Sequence, residues 1–230
     1  MHTNTNHTYK RYDKELNKLR DQISRMGNHV SRQLNLLLNH LETGDPEQFE
    51  EIIENDVTIN GMEVKASKTV IRLLAKRSPV GGDLRMIIAS SRIVTELERV
   101  GDEIVAMAKT LMAGSELGIC EDKSVAQTLE TLIATAMNLL DRALLAAQND
   151  DEVAAKALID EHVQKGGRFH KEAEELVLCV KEHYDSTQQS FHAALLINAL
   201  TRISDHVSNI CEHIIFSITG EDIRHLDEED

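Results

Sequence analysis

Carboxylates at helical spacing are the residues of this chain best placed to do chemistry. Glu98 and Asp102 stand four apart, so on a helix both side chains leave one face and can converge on one cation. Hard cations favour several carboxylate oxygens, and such a pair supplies half a site. Asp56 and Glu63 are seven apart, in register with apolar Ile52, Ile59 and Val70. A carboxylate in register with a core stripe calls for a partner or a metal. Further along, Asp205, Asn209 and Glu212 step by 4 and 3. The competing reading is a solvated acidic surface, because the chain holds 39 acidic residues. Asp205 lies about 200° around a helix from Ile203, away from the apolar stripe. Arg99 and Arg202 are spaced to pair with Asp102 and Asp205 at i, i+3.

Other chemistries find little support. His206 and His213 are seven apart, and His162 and His170 eight apart. Neither pair belongs to the Glu-x-x-His set of di-iron bundles or to the His-Glu-x-x-His of zincins. They read as surface or satisfied polar groups. No phosphate-cradling GxxxxGK[ST] or GxGxxG occurs, no GxSxG, and no Cys with an orienting His at a recognisable spacing. An enzyme would lack a nucleophile, so the chain is expected not to be one. One basic feature stands out: Lys65, Lys68, Arg72 and Lys76 step by 3, 4 and 4, followed by Arg77. It is either a solvated face with helical salt bridges or a docking face for an acidic partner or a membrane surface.

The elements that must position these residues are long helices. Leu16, Leu19, Ile23, Met26, Val30, Leu34, Leu37 and Leu41 step by 3 or 4, which keeps them on one side of a helix. Gly44 and Asp45-Pro46 end it and start the next, which runs to about Arg77. Ser78-Pro79-Val80-Gly81-Gly82 breaks the chain, and Asp83 caps a third helix to about Met112. A loop near 114–122 follows. Three more helices are expected over about 123–148, 152–183 and 188–219, the middle one weakened or bent at Gly166-Gly167.

The two halves repeat. The third-helix stripe Ile93, Leu97, Val100, Ile104, Met107, Leu111 returns as Leu196, Leu200, Ile203, Val207, Ile210, Ile214, each pair offset by 103. Arg99 and Arg202, and Asp102 and Asp205, obey the same offset. The expected fold is all-α: a tandem repeat of two three-helix bundles, six long helices in all. A disordered arm covers 1–9, the first repeat 10–113, the second 122–220 and an acidic tail 221–230.

Composition agrees. Aromatics are 3%, with no Trp and 2 Pro, unlike β-sandwiches or base-stacking platforms. The net charge of -14 repels phosphate backbones, so nucleic acid is not an expected partner. Cys120, Cys179 and Cys211 form no disulfide framework and fit a reducing cytosol. The polar N-terminus is no signal peptide, and no stretch approaches about 18 apolar residues. The expected location is cytoplasmic.

Glu96-Leu97-Glu98-Arg99-Val100-Gly101-Asp102 resembles the E-x-x-x-D signature of the PhoU family of phosphate-signalling regulators. The segment Thr201 to Glu212 is similar to the family's second signature. Ala75 to Pro79, Asp83-Leu84-Arg85, Met62-Glu63-Val64 and Gly220 to His225 also match in order, so the resemblance spans roughly residues 10 to 225. It implies tandem three-helix bundles and a cytoplasmic homodimer, peripheral to the membrane at most. The implied function is negative regulation of the phosphate-starvation response, linking a high-affinity phosphate transporter to a sensor histidine kinase by protein contact. It also implies divalent or iron-type metal ions, none obligatory. By position Glu98 and Asp102, with Asp56, would be first-repeat ligands and Asp205 the second-repeat ligand. Thr201 stands where the second repeat usually has Glu, and His162 near where an Asp is expected. The second site is therefore lost, weak, or built for another metal with His162 or His206. Two alternatives remain open: a metal-dependent bundle oxidase or hydrolase, and a metal-free structural adaptor.

Overall fold

The computed structural model describes residues 5–114, 122–163, 168–183 and 186–223. Among the described residues the chain is helical with no strand. The helices are α1 (Thr5–Thr43), α2 (Glu47–Arg77), α3 (Gly81–Gly114), α4 (Lys123–Asn149), α5 (Glu152–Val163), α6 (Arg168–His183) and α7 (Thr187–Thr219). The helix expected over 152–183 is thus two segments, and Gly166-Gly167 falls between them at 164–167, outside the described residues. Helix α1 begins at Thr5, inside the 1–9 segment expected as an arm. The third helix also starts earlier than Asp83, at Gly81. Of the acidic tail, only residues 221–223 are described.

Local chemistry sets the ends. Gly44 takes φ +70°, which costs glycine little, and its N–H donates to His40 O at 2.7 Å. Asp45 then accepts from the Glu47 N–H at 3.0 Å, opening α2. Asp122 accepts from Ser124 and Val125 N–H groups at the start of α4. Ser186 does so for Gln188 at α7, and Gly220 closes α7 in the left-handed region.

The first bundle packs α1, α2 and α3; the second packs α4 and α7 with α5 and α6. The predicted stripes are the core. Leu19, Ile23, Met26, Val30, Leu34 and Leu37 are buried, as are all six stripe residues of α3 and all six of α7. Leu16 and Leu41 pack at its edge. The two bundles are not beads on a string: α3 lies along α7, the broadest helix pairing among the described residues, and α1 lies along α4. Small residues let the helices approach. A Cβ placed on Gly27 of α1 would sit 2.6 Å from Leu144 Cδ1 and 3.0 Å from Leu144 Cγ of α4. Among the described residues no helix is long and apolar enough to cross a membrane.

Candidate functional site

The α2–α3 seam carries the first-half carboxylates. Their neighbours Ile52, Ile59 and Val70 are buried, and this holds Asp56 and Glu63 half-buried at the core edge. Glu98 is half-buried on α3, and Asp102 is exposed one turn on. Burial raises the Asp56 carboxyl above its ordinary range, and the charge of Asp102 adds to this. Glu98 is raised by burial first, then by Asp102, Glu63 and Asp56. The charges of the other three therefore all oppose ionisation of Glu98, and that of Asp102 opposes ionisation of Asp56 as well. Asp56 Oδ2 accepts from Asn60 Nδ2 at 3.1 Å, and Glu63 Oε1 from Ser67 Oγ at 2.8 Å. Asp56 Oδ1 is buried and has no hydrogen-bond partner among the described residues; neither has Gln33 Oε1. Both oxygens face Gly101: a Cβ there would lie 3.6 Å from the first and 3.5 Å from the second.

This donor set fits a hard cation in kind: oxygen ligands only, with negative charge that Arg99 and Lys109 offset only in part, and two buried oxygens left without donors. It does not form a closed cage. Among the described residues no three His, Cys, Asp or Glu side chains are already gathered around one point.

Asp205 does not join this cluster. It is exposed on α7, away from the apolar stripe as its register predicts, and none of the groups perturbing Asp56 or Glu98 lies on α7. Thr201, at the position of the missing acid, turns its hydroxyl back to Ile197 O at 2.9 Å. Nor do the arginines take up the predicted i, i+3 pairs. Arg99 pairs with Glu96 at 3.8 Å, and Arg202 crosses between the bundles to Glu103 at 3.0 Å.

That crossing belongs to a polar clamp which spacing did not reveal. Glu96 of α3 is buried, with Oε2 2.7 Å from His206 Nδ1 and 3.2 Å from Asn209 Nδ2. Burial alone would raise the Glu96 carboxyl, but hydrogen bonds from His206 and Asn209 and the charges of His206 and Arg99 hold it below its ordinary value. An ionised carboxylate only accepts, so Nδ1 of His206 is the donor. The histidine is a buried structural group, with Nε2 enclosed and without a partner among the described residues.

The five members of the basic stripe are not equally exposed. Lys65, Lys68, Arg72 and Lys76 are exposed. Arg77 is not available for docking. Its guanidinium grips Glu15 of α1 through Nε at 2.9 Å and Nη2 at 3.1 Å and lies 5.9 Å from the Tyr12 ring centroid. Arg72 and Lys76 share a groove with Arg11, Lys14 and Lys18 of α1. The sequence stripe thus shows one wall of a two-walled basic surface.

The geometry defines an all-helical tandem-bundle protein with an outward carboxylate cluster on its first bundle and a basic groove beside it. A family model described as the PhoU domain matches residues 23–111. The "Phosphate-specific transport system accessory protein PhoU homolog" of Xylella fastidiosa is 32% identical over 222 residues, 96% of this chain and 92% of that protein. The accessory protein PhoU of Escherichia coli K12 is 27% identical, covering 96% of this chain and 90% of its own length. The crystal structure of PhoU from Pseudomonas aeruginosa superposes with a TM-score of 0.79 at 27% identity, covering 91% of this chain and all of that one. The Streptococcus pneumoniae phosphate transport system regulatory protein PhoU gives 0.77 at 25% identity, covering 92% and 99%. The chain belongs to the PhoU family.

Proposed function

We propose that this chain is an accessory regulator of phosphate-specific transport. It acts in the cytoplasm by protein contact and represses the phosphate-starvation response when phosphate is plentiful. The observation that carries this reading is the end-to-end match, in sequence and fold, to proteins named for that accessory role. Its partners would be the cytoplasmic part of the transporter and a sensor histidine kinase, met by a homodimer. A relay of this kind needs differential affinity for two partner states, not turnover, and no enzymatic step is assigned to it. The test is complementation: in a bacterium lacking its own homologue, the gene should restore repression of a phosphate-starvation reporter at high phosphate. A reporter left fully active would overturn the reading.

The carboxylate cluster supports a second element. Asp56, Glu98 and Asp102, with Glu63 beside them, would hold a divalent or iron-type ion, whose charge would relieve the mutual repulsion of these groups. The two buried oxygens without donors favour it. Asp205 would act, if at all, as a separate weaker ligand. Elemental analysis of the untagged protein beside Glu98→Ala/Asp102→Ala tests this; equal metal content in both removes the metal from the mechanism.

A further inference from the structure

The outer face of α2 carries an exposed apolar row that the fold does not use. Val57, Val64 and Ile71 are spaced by seven and are 72%, 47% and 65% exposed; Ile53, one turn before Val57, is 37% exposed. Scattered surface aliphatics need no explanation, but a row held in register over 18 residues, about 27 Å of helix, is a seam. Gly61 lies at the edge of this row, about 60° around the helix from Val64. Mid-helix glycine costs about 1 kcal/mol relative to alanine, yet nothing lies within 4 Å of where its Cβ would be. Packing inside this chain therefore does not require it, whereas close approach of an outside backbone would.

The two margins of the row differ in charge. Lys68 and Arg72 lie about 40° and 80° around the helix from Val64, with Lys65 and Lys76 beyond; this margin continues into Lys14 and Lys18 of α1. None of these six cations has an ion-pair partner among the described residues. On the opposite margin stand Asp56 and Glu63, facing Glu98 and Asp102. An apolar row seven residues in period, flanked by unpaired cations along one edge, is complementary to a helix with a heptad apolar face and acids along one edge.

The geometry points to the outer face of α2 as the seat of an amphipathic partner helix, acidic along the edge that overlies Lys65, Lys68, Arg72 and Lys76. This rests on the reading of the protein as an adaptor and names the chemistry of what it adapts. The helix lies along Ile53 to Ile71, and its acidic edge passes over Gly61, between Lys68 and Arg72. A second copy of this chain is a poorer occupant in the antiparallel arrangement, because like margins would then meet, cations against cations.

The probe is a fluorescent amphipathic peptide of about three heptads, with Leu at the a and d positions, Glu along one edge and Gln along the other. Fluorescence anisotropy with the full chain should show binding that weakens with salt. The Val57→Ser/Val64→Ser/Ile71→Ser and Lys68→Glu/Arg72→Glu variants should each weaken it at least tenfold with unchanged circular dichroism. Gly61→Leu favours the helix and blocks the seat, so it should abolish binding in a chain at least as stable. Equal binding of a peptide with Lys in place of Glu would overturn the proposal. So would undiminished binding in Gly61→Leu, preference for phosphatidylglycerol vesicles, or a wild-type dimer that Gly61→Leu dissociates. The starvation reporter separates the two readings. If wild type represses and Gly61→Leu represses equally, the seat is wrong and the regulator stands. If wild type fails to repress while the peptide binds, the regulator reading falls and the seat stands.

Discussion

Helices α3 and α7 carry the repeated stripe and the repeated Arg and Asp, yet use their polar residues in opposite ways. On α3, Glu98 and Asp102 turn outward with α2 carboxylates as neighbours, whose effect on Glu98 outweighs that of Arg99. On α7 the position equivalent to Glu98 is Thr201, tied to its own backbone, and Asp205 is exposed. At the position equivalent to Glu103 stands His206, which reaches back to Glu96. The equivalent of Ala106 is Asn209, which reaches the same carboxylate. Repetition of a sequence segment therefore preserved the packing and divided the labour: polar residues of α7 clamp the bundles together, while α3 also offers an acidic surface. The difference lies in the residues at equivalent positions, because both helices turn the side that carries Glu103 and His206 toward the seam.

The sharpest break of this contrast is Glu96→Ala against Glu98→Ala. The first leaves His206 and Asn209 buried without their acceptor and should cost about 3 kcal/mol; the second should be neutral or stabilising, both read by chemical denaturation. Equal costs would dissolve the distinction between clamp and surface. Next is Gly27→Ala, where the new methyl meets Leu144 across α1 and α4. A loss of about 2 kcal/mol is expected, recovered in large part by Leu144→Ala in a double-mutant cycle.

Helix α3 and its neighbour α2 should also show two opposite pH signatures. Glu98 and Asp56 are raised in the folded state, so their cost to stability appears as pH rises above the ordinary carboxylate range and is absent below it. Asp56→Asn should raise the melting temperature by about 2 °C at pH 7 and leave it unchanged at pH 3. Glu96 is lowered. Its contribution is present above the ordinary carboxylate range and is lost as pH falls through its folded value, so Glu96→Gln should lose its penalty in acid. The smallest effect belongs to Thr201→Glu, an exchange within about 0.5 kcal/mol. If an i, i+4 acid pair is what the first half uses to hold metal, the exchange should add metal to the second half by elemental analysis.

Periodicity was enough to read the helices, the repeat and the core, because a 3.6-residue rhythm over about 30 residues has no strand-like alternative. It also placed Asp56 and Glu63 at a core edge. The register of Glu96, three after Ile93 and four before Val100, puts it at the edge of the stripe, but it could not show what holds it there, because its partners lie 110 and 113 residues away. Arg77 looked like the end of a basic stripe for the same reason, since Glu15 is 62 residues off. The groove needed α1 beside α2 before Lys14 and Lys18 could join Arg72 and Lys76.

The α3–α7 pairing also has a consequence in time. At roughly 5–20 residues per second of synthesis, Glu96 leaves the ribosome several seconds before His206, which lies 110 residues later. Through that interval the first bundle can assemble, but the face of α3 that will meet α7 stays uncovered, with a carboxylate and a row of small and apolar side chains exposed together. Contacts of such sequence separation form late. The growing chain is therefore most open to wrong association after α3 and before α7, and slowing translation across the second bundle should lower the yield of soluble protein more than slowing it across the first.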